Sequence, residues 1–159
     1  MVDINVTLNG QAVSIDVIPN RTLADFLRDD LHLTGCRIAC DSGQCGACTV
    51  LVDGMPMTAC ATFAFEAGGT SIETIEGLAT PDGGLHPIQQ AFLTSDAFQC
   101  GFCTSGFVMS VKALLQVNPV PDDETIRDWL NGNICRCTGY KSIIDAVRLA
   151  SVIAAEKAA

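Results

Sequence analysis

Basic residues are scarce in this sequence. Its 159 residues include 9 Lys and Arg against 18 Asp and Glu, so the formal net charge is -9 at pH 7. Binding to phosphate groups needs clustered positive charge, and an acidic chain is repelled by nucleic acid and by anionic membrane surfaces. We therefore expect no nucleic-acid partner and no electrostatic attachment to lipid.

Long apolar runs are also absent. No stretch of the sequence approaches the roughly 18 residues that a membrane-spanning helix needs. The opening segment MVDINVTLNG lacks the basic region and apolar core of a secretory signal. We expect a cytoplasmic protein with no membrane span. Its composition, 48% hydrophobic and 17% charged, is typical of a folded globular chain.

The sequence has no recognisable apparatus for chemistry on an organic substrate. It contains no G-x-G-x-x-G segment, no phosphate-binding loop and no Ser/His/Asp or paired-carboxylate pattern with informative spacing. It does contain nine cysteines. In a reducing compartment this density indicates metal ligation rather than a disulfide framework.

Hydrophobic periodicity divides the chain into two halves, and we place the boundary between residues 78 and 79. The first half alternates apolar and polar residues as β-strands do, which predicts a small α+β domain. Its predicted elements are a hairpin around Asn9-Gly10, a helix capped by Thr22, a second hairpin over residues 49–60 and a last strand over 71–75.

The second half, residues 79–159, changes to a helical period of 3.6 after the turn residues Pro81 to Gly84. We expect four short amphipathic helices that form a bundle. Pro87 suits the first turn of one helix, and Thr104 or Ser105 can cap the second. Acidic residues from Asp122 onward open the third, where they suit the helix dipole, and the fourth carries Tyr140 on its apolar face.

The first group of cysteines follows the spacing C-x4-C-x2-C-x11-C and comprises Cys40, Cys45, Cys48 and Cys60. This spacing matches the plant-type ferredoxin pattern for a [2Fe-2S] cluster. Gly43 and Gly46 allow the loop backbone to approach the cluster and to direct N–H groups at its sulfur atoms. Structural zinc sites usually pair two short cysteine knuckles instead, so zinc is the less favoured interpretation.

The second group has the spacing C-x2-C, then 31 intervening residues, then C-x-C, and comprises Cys100, Cys103, Cys135 and Cys137. Spacing alone does not decide between a tetrahedral zinc site and a second cluster. Cys36 is the ninth cysteine. It is either a free thiol beside the first group or a spare ligand, and the first interpretation is preferred because the other eight cysteines complete both patterns.

Three segments together resemble the iron-sulfur subunit of the molybdenum hydroxylases, a family that includes xanthine dehydrogenase, aldehyde oxidoreductase and aerobic carbon monoxide dehydrogenase. They are GCRIACDSGQCGACTVLVDGMPMTAC at 35–60, QCGFCTSG at 99–106 and GNICRCTGY at 132–140. The resemblance implies a [2Fe-2S] cluster at both sites, the first in a ferredoxin-like β-grasp domain and the second in a four-helix domain.

The resemblance also implies partners and a direction for the electrons. A large subunit would carry the molybdopterin centre that oxidises the substrate, an N-heterocycle, an aldehyde or a similar compound. The helical-domain cluster would lie beside this centre, with Cys137 near the pterin and Gln99 hydrogen-bonded to it. The ferredoxin-like cluster would pass electrons to a medium subunit that binds FAD, or to another acceptor. We expect these partners to be separate polypeptides.

Two other classes of function fit parts of the sequence. A free-standing ferredoxin that shuttles electrons would need only the first half of the chain. A zinc-stabilised adaptor would need no redox activity at all. Both would lack a stable oxidoreductase partner.

The purified protein is expected to contain about four irons and four sulfides, two of each for every four-cysteine group. Reduction should give two distinguishable EPR signals. Stoichiometric zinc, or iron sufficient for one cluster only, would contradict the two-cluster prediction. Metal analysis combined with EPR of the reduced protein makes the measurement.

Overall fold

The computed structural model describes residues 1–80 and 83–158 of the chain. Five strands form one mixed sheet in the order β2-β1-β5-β3-β4, in which only the β1–β5 pair is parallel. The strands are β1 Val2–Leu8, β2 Gln11–Val17, β3 Thr49–Val52, β4 Met55–Thr58 and β5 Ser71–Glu73.

The first predicted hairpin is confirmed. Asn9 and Gly10 both have positive φ, 49° and 81°, as a tight two-residue turn between antiparallel strands requires. The alternating residues Ile4, Val6 and Leu8 are buried in the core of this domain. One face of the hairpin is therefore fixed by the hydrophobic pattern.

The helix after the first hairpin begins as predicted, with the Thr22 hydroxyl accepting a 3.0 Å hydrogen bond from the Asp25 backbone N–H. Helix α1 spans only Leu23–Asp25 and continues as a wider π-helical turn over Phe26–Asp30. Leu23, Phe26 and Leu27 are fully buried. The apolar spacing was therefore correct, while the helix is shorter and less regular than predicted.

The second hairpin and the last strand end earlier than predicted. Strand β4 ends at Thr58, and Cys60 lies in a 3-10 turn over Ala59–Ala61 rather than on the hairpin. Strand β5 ends at Glu73, and residues Ile75–Leu78 form another 3-10 turn. A third 3-10 turn covers Ala64–Ala67.

Four helices follow in the second half, as predicted: α2 Pro87–Thr94, α3 Thr104–Val117, α4 Asp123–Leu130 and α5 Lys141–Ala158. Pro87 occupies the first helical position of α2, and Asp122 caps α4 through the Thr125 N–H at 2.9 Å. Their apolar faces form a second core that is centred on Phe107, Met109, Leu114 and Ile126.

The predicted cap of α3 was wrong. The N-cap residue is Cys103, and no side chain caps the helix. The Thr104 and Ser105 hydroxyl oxygens are buried, and neither has a hydrogen-bond partner within the described ranges. The predicted turn residues Pro81 and Asp82 lie outside the described residues. No helix in the described part of the chain is long and apolar enough to cross a membrane.

The two halves meet at a contact between backbones. A Cβ atom added at Gly106, in α3, would lie 2.1 Å from the Gly46 carbonyl oxygen and 3.0 Å from the Ala47 Cα. A Cβ atom added at Gly46 would lie 2.4 Å from the Gly132 carbonyl oxygen. The close approach of the two halves therefore requires glycine at both positions. Backbone atoms cannot move out of the way of a Cβ atom by a rotamer change.

Replacing Gly106 by alanine is expected to cost about 1–3 kcal/mol, the usual cost of overpacking a rigid site. The thermal midpoint should fall by at least about 2–4 °C in a chain of this size. Gly132→Ala is the matched control, because Gly132 is exposed and an added Cβ meets nothing within 4 Å. Equal midpoints for the two variants, measured by thermal unfolding, would show that the contact is not tight.

Candidate metal centres

The first four cysteines lie together as two pairs. Cys40 and Cys45 form one pair, in which the Cys45 N–H lies 3.4 Å from the Cys40 Sγ and the two thiols are also in contact. Cys48 and Cys60 form the other, in which the Cys60 N–H lies 3.5 Å from the Cys48 Sγ. The structure thus brings all four predicted ligands of the first group into one site.

The loop from 40 to 48 directs backbone N–H groups at these sulfur atoms. Gly43 has φ 73°, and its N–H donates to the Cys60 Sγ at 3.4 Å. The exposed Cys40 thiol accepts bonds from the Ser42 side chain and backbone, and these lower its pKa to about 6. Such a loop favours thiolate over thiol, which is the form that binds metal.

The second four cysteines also form two pairs. The Cys100 and Cys137 sulfur atoms are 3.6 Å apart, and both residues are exposed. Cys103 contacts the buried Cys135, and burial raises the pKa of the Cys103 thiol to about 12. One pair therefore lies at the protein surface and the other lies beneath it.

A hydrogen bond links the two sites directly. The Ile134 N–H donates to the Cys45 carbonyl oxygen at 2.9 Å, and Ile134 precedes Cys135 in the chain. The buried Asn133 side chain donates to the Gly46 carbonyl oxygen at 2.9 Å. One ligand loop is thus bonded to the other through adjacent residues.

The thiol pairs suit a diiron cluster better than a zinc ion. In a [2Fe-2S] cluster each iron takes two thiolates, so the four ligands form two pairs, whereas structural zinc places four ligands around one ion. Eight thiols in four pairs fit two [2Fe-2S] clusters.

Comparison with known proteins agrees with this chemistry. Residues 6–73 match the "2Fe-2S iron-sulfur cluster binding domain" family, and residues 74–148 match the "[2Fe-2S] binding domain" family. The chain is 51% identical over 144 residues to the 6-hydroxypseudooxynicotine dehydrogenase complex subunit beta of Paenarthrobacter nicotinovorans. The aligned residues cover 90% of this chain and 89% of that protein. The chain is an iron-sulfur subunit of the molybdenum hydroxylase family.

Two further relatives support this membership. The nicotinate dehydrogenase small FeS subunit of Eubacterium barkeri is 48% identical over 149 residues, 94% of each chain. The crystal structure of quinoline 2-oxidoreductase from Pseudomonas putida 86 aligns with a TM-score of 0.93 and 43% identity, over 99% of this chain and 96% of that one. The iron-sulfur subunit thus has the predicted fold, and it is an electron-transfer subunit rather than a free ferredoxin.

Cys36 lies beside the first site in the iron-sulfur subunit but does not join its thiol pairs. It is only 3% exposed, and its Sγ lies 3.5 Å from the Cys48 carbonyl oxygen. Burial raises the pKa of its thiol to about 12. A neutral thiol that donates to a backbone oxygen fits the interpretation of Cys36 as a free thiol.

The predicted pterin contacts lie at the second site. Gln99 is exposed, adjoins the exposed Cys100 and makes no side-chain hydrogen bond to the residues that the structure describes. Gly46, predicted as part of the cluster loop, has φ 67° and also forms the contact with the helical half.

Three residues around the second site have contacts there that the sequence did not predict: Asn133, Thr138 and Tyr140. The Tyr140 hydroxyl accepts from the Cys135 N–H at 3.0 Å and lies 3.3 Å from the Asn133 carbonyl oxygen. Their positions in the sequence could have identified them, because all three lie in the segment GNICRCTGY, within five residues of Cys135. Polar residues so close to ligands commonly orient them.

Cys36→Ser is expected to leave both clusters assembled, since the substituted side chain lies outside the thiol pairs. Cys45→Ser should lose the N-terminal cluster and lower the stability of that domain, because cluster binding and folding are coupled. EPR of the reduced variants measures both effects. Loss of either signal in Cys36→Ser would mean that the ligand assignment is wrong.

Proposed function

We propose that this iron-sulfur subunit receives electrons from a molybdopterin centre in a large partner subunit and passes them through two [2Fe-2S] clusters to FAD in a medium subunit, or to another acceptor. The proposed ligands of the first cluster are Cys40, Cys45, Cys48 and Cys60, and those of the second are Cys100, Cys103, Cys135 and Cys137. The observation that carries the proposal is the grouping of eight thiols into two linked sites. The molybdenum centre, when bound by the partner, supplies the two-electron oxidation of substrate.

Electrons enter at the helical-domain cluster under this proposal. Cys100 and Cys137 are exposed, so this edge of the site is open to a partner. Phe98 and Phe102 flank Cys100 in sequence and are themselves exposed, at 37% and 45%. Exposed aromatic residues around a redox site are typical of a protein interface. Gln99 lies between them with a free amide that can both donate to a pterin ring and accept from it.

Electrons then cross to the N-terminal cluster by a short bonded route. The route runs from Cys135 through the Ile134 peptide, across the 2.9 Å hydrogen bond to the Cys45 carbonyl oxygen, and along Cys45 to its sulfur. The close packing of Gly46 against Gly106 keeps the two loops near enough for this hydrogen bond. Electrons leave toward the acceptor at Cys40, the exposed ligand of the first set.

The relatives suggest a class of substrate for the assembled enzyme. Their names refer to 6-hydroxypseudooxynicotine, nicotinate and quinoline, which all contain a nitrogen heterocycle. We propose an N-heterocycle as the substrate, bound in the large subunit. A cytoplasmic location is part of the proposal, because cluster assembly needs reduced thiols and all nine cysteines are free in the structure.

The domain division is also part of the proposal: residues 1–78 hold the first cluster and residues 79–159 hold the second. Two hydrophobic cores support it, one under the sheet and one among the helices, which Leu51 of β3 also joins. Leu78 already packs in the helical core, so the connection between the domains is short.

Gln99→Ala is expected to keep both clusters and the fold, because the side chain is exposed and outside the thiol pairs. Reduction of the helical-domain cluster by substrate should become slower, or the pterin should be retained less well. Cys137→Ala should destroy that cluster and abolish turnover while leaving the N-terminal cluster intact. Rapid-mixing spectroscopy on the assembled complex follows each cluster.

Gln44→Ala is the matched control, since Gln44 is an exposed glutamine on the loop of the other cluster. It should leave substrate-driven reduction of the helical-domain cluster unchanged. If Gln99→Ala behaves like this control in both reduction rate and cofactor content, Gln99 does not contact the pterin. Loss of fold in Gln99→Ala would assign it a structural role instead.

A further inference from the structure

One ligand sulfur of the helical-domain site accepts two hydrogen bonds from a single residue. The Thr138 hydroxyl oxygen lies 3.1 Å from the Cys135 Sγ, and the Thr138 backbone nitrogen lies 3.4 Å from the same sulfur. Cys135 is buried at 8% exposure, so water does not compete freely for its sulfur. Both donors therefore act in a medium of low polarity, where hydrogen bonds are stronger.

The direction of the Thr138 hydroxyl is fixed by its neighbour. The Tyr140 backbone N–H donates to the Thr138 hydroxyl oxygen at 3.2 Å. Because the oxygen accepts that bond, its own proton is free to point at the Cys135 sulfur. Tyr140 holds this geometry with a left-handed backbone, φ 69°, and with its phenol bonded to the Cys135 N–H.

We infer that Thr138 is a positioning residue that raises the reduction potential of the helical-domain cluster through its hydrogen bonds to the Cys135 sulfur. The inference rests on the proposed function, because it takes Cys135 as an iron ligand. It concerns a property of that cluster which the ligand set alone does not determine.

The physical basis is the charge that the cluster gains on reduction. One electron added to the cluster increases the negative charge on its sulfur atoms, so a donor to sulfur stabilises the reduced state more than the oxidised state. Two donors to one buried ligand sulfur therefore favour the reduced, more negative cluster.

The functional consequence is directional. Raising the potential of the cluster nearest the electron donor favours transfer out of the molybdenum centre. The first site has a comparable hydroxyl, from Ser42 to Cys40, but Cys40 is exposed, and water there screens the interaction. The Thr138 contact should therefore have the larger influence on potential.

The test is an EPR-monitored redox titration of the assembled complex. Thr138→Val removes the hydroxyl at nearly constant size and should make the helical-domain cluster harder to reduce. We expect the ratio of reduced to oxidised cluster at a given potential to fall several-fold, up to about tenfold, which for one electron equals about 59 mV. Thr138→Ser keeps the hydroxyl and should stay near the wild-type potential, while the N-terminal cluster serves as an internal reference.

Tyr140→Phe is the matched control for disturbance of the same loop. It removes the phenol bonded to the Cys135 N–H but keeps the backbone N–H that orients Thr138, so it should shift the potential much less than Thr138→Val. An unchanged potential in Thr138→Val, or equal shifts in Thr138→Val and Thr138→Ser, would overturn the inference. If both EPR signals are still present in these variants, the proposed function is unaffected.

Thr138→Ala provides a second route if Thr138→Val does not retain its cluster. It lacks the hydroxyl and the branched methyl group alike, and the same fall in potential is expected. Failure of both variants to hold the cluster would also overturn the inference, because the hydroxyl would then be needed for assembly. Absence of the second signal in the wild-type complex would instead contradict the proposed function.

Discussion

The close approach of two backbones is the constraint on which the arrangement of the metal sites depends. Gly46 belongs to the loop of the first cysteine group, Gly106 lies in the first turn of α3 after Cys103, and Asn133 lies two residues before Cys135. A side chain at either glycine would separate the two loops, because it would meet backbone atoms of Gly46 and Ala47 in one case and the Gly132 carbonyl oxygen with the Asn133 side chain in the other. Two domains are thus held with their cysteine loops in direct contact, which is the geometry that an electron relay needs.

The burial of the thiol pairs gives the relay a direction in space. At the second site the exposed pair, Cys100 and Cys137, faces outward, while Cys135 lies inside and is one residue from the link to Cys45. At the first site Cys40 is exposed again. Electrons would enter and leave at the surface and cross between clusters through the interior. Partner subunits would then need to contact only the two exposed edges. The exposed Phe98 and Phe102 beside Cys100 form an apolar surface of the kind found in protein interfaces.

Local rules were enough to predict most of the elements of the fold, and cysteine spacing grouped the eight proposed ligands into two sets, but the assignment of a cluster to the second set came from the resemblance to the family. The Asn9-Gly10 turn, the Thr22 cap and the start of a helix at the acidic residues from Asp122 depend on neighbouring residues alone, and each is confirmed. Features fixed by distant contacts were not predictable in this way. Cys60 sits in a 3-10 turn where the chain leaves the sheet, and Cys103 displaces Thr104 and Ser105 as the cap of α3. The second role of Gly46 depends on residues 60 or more positions away, which no local pattern contains.

The magnetic interaction between the two clusters tests most directly whether their loops are in contact. Both clusters are paramagnetic when reduced, and the interaction between their spins weakens steeply with distance. EPR of the fully reduced complex should show both signals split by each other, and the splitting should vanish when only one cluster is reduced. Two signals that stay unsplit at full reduction would contradict the account, because the clusters would then be too far apart for the Cys45–Ile134 link to join them.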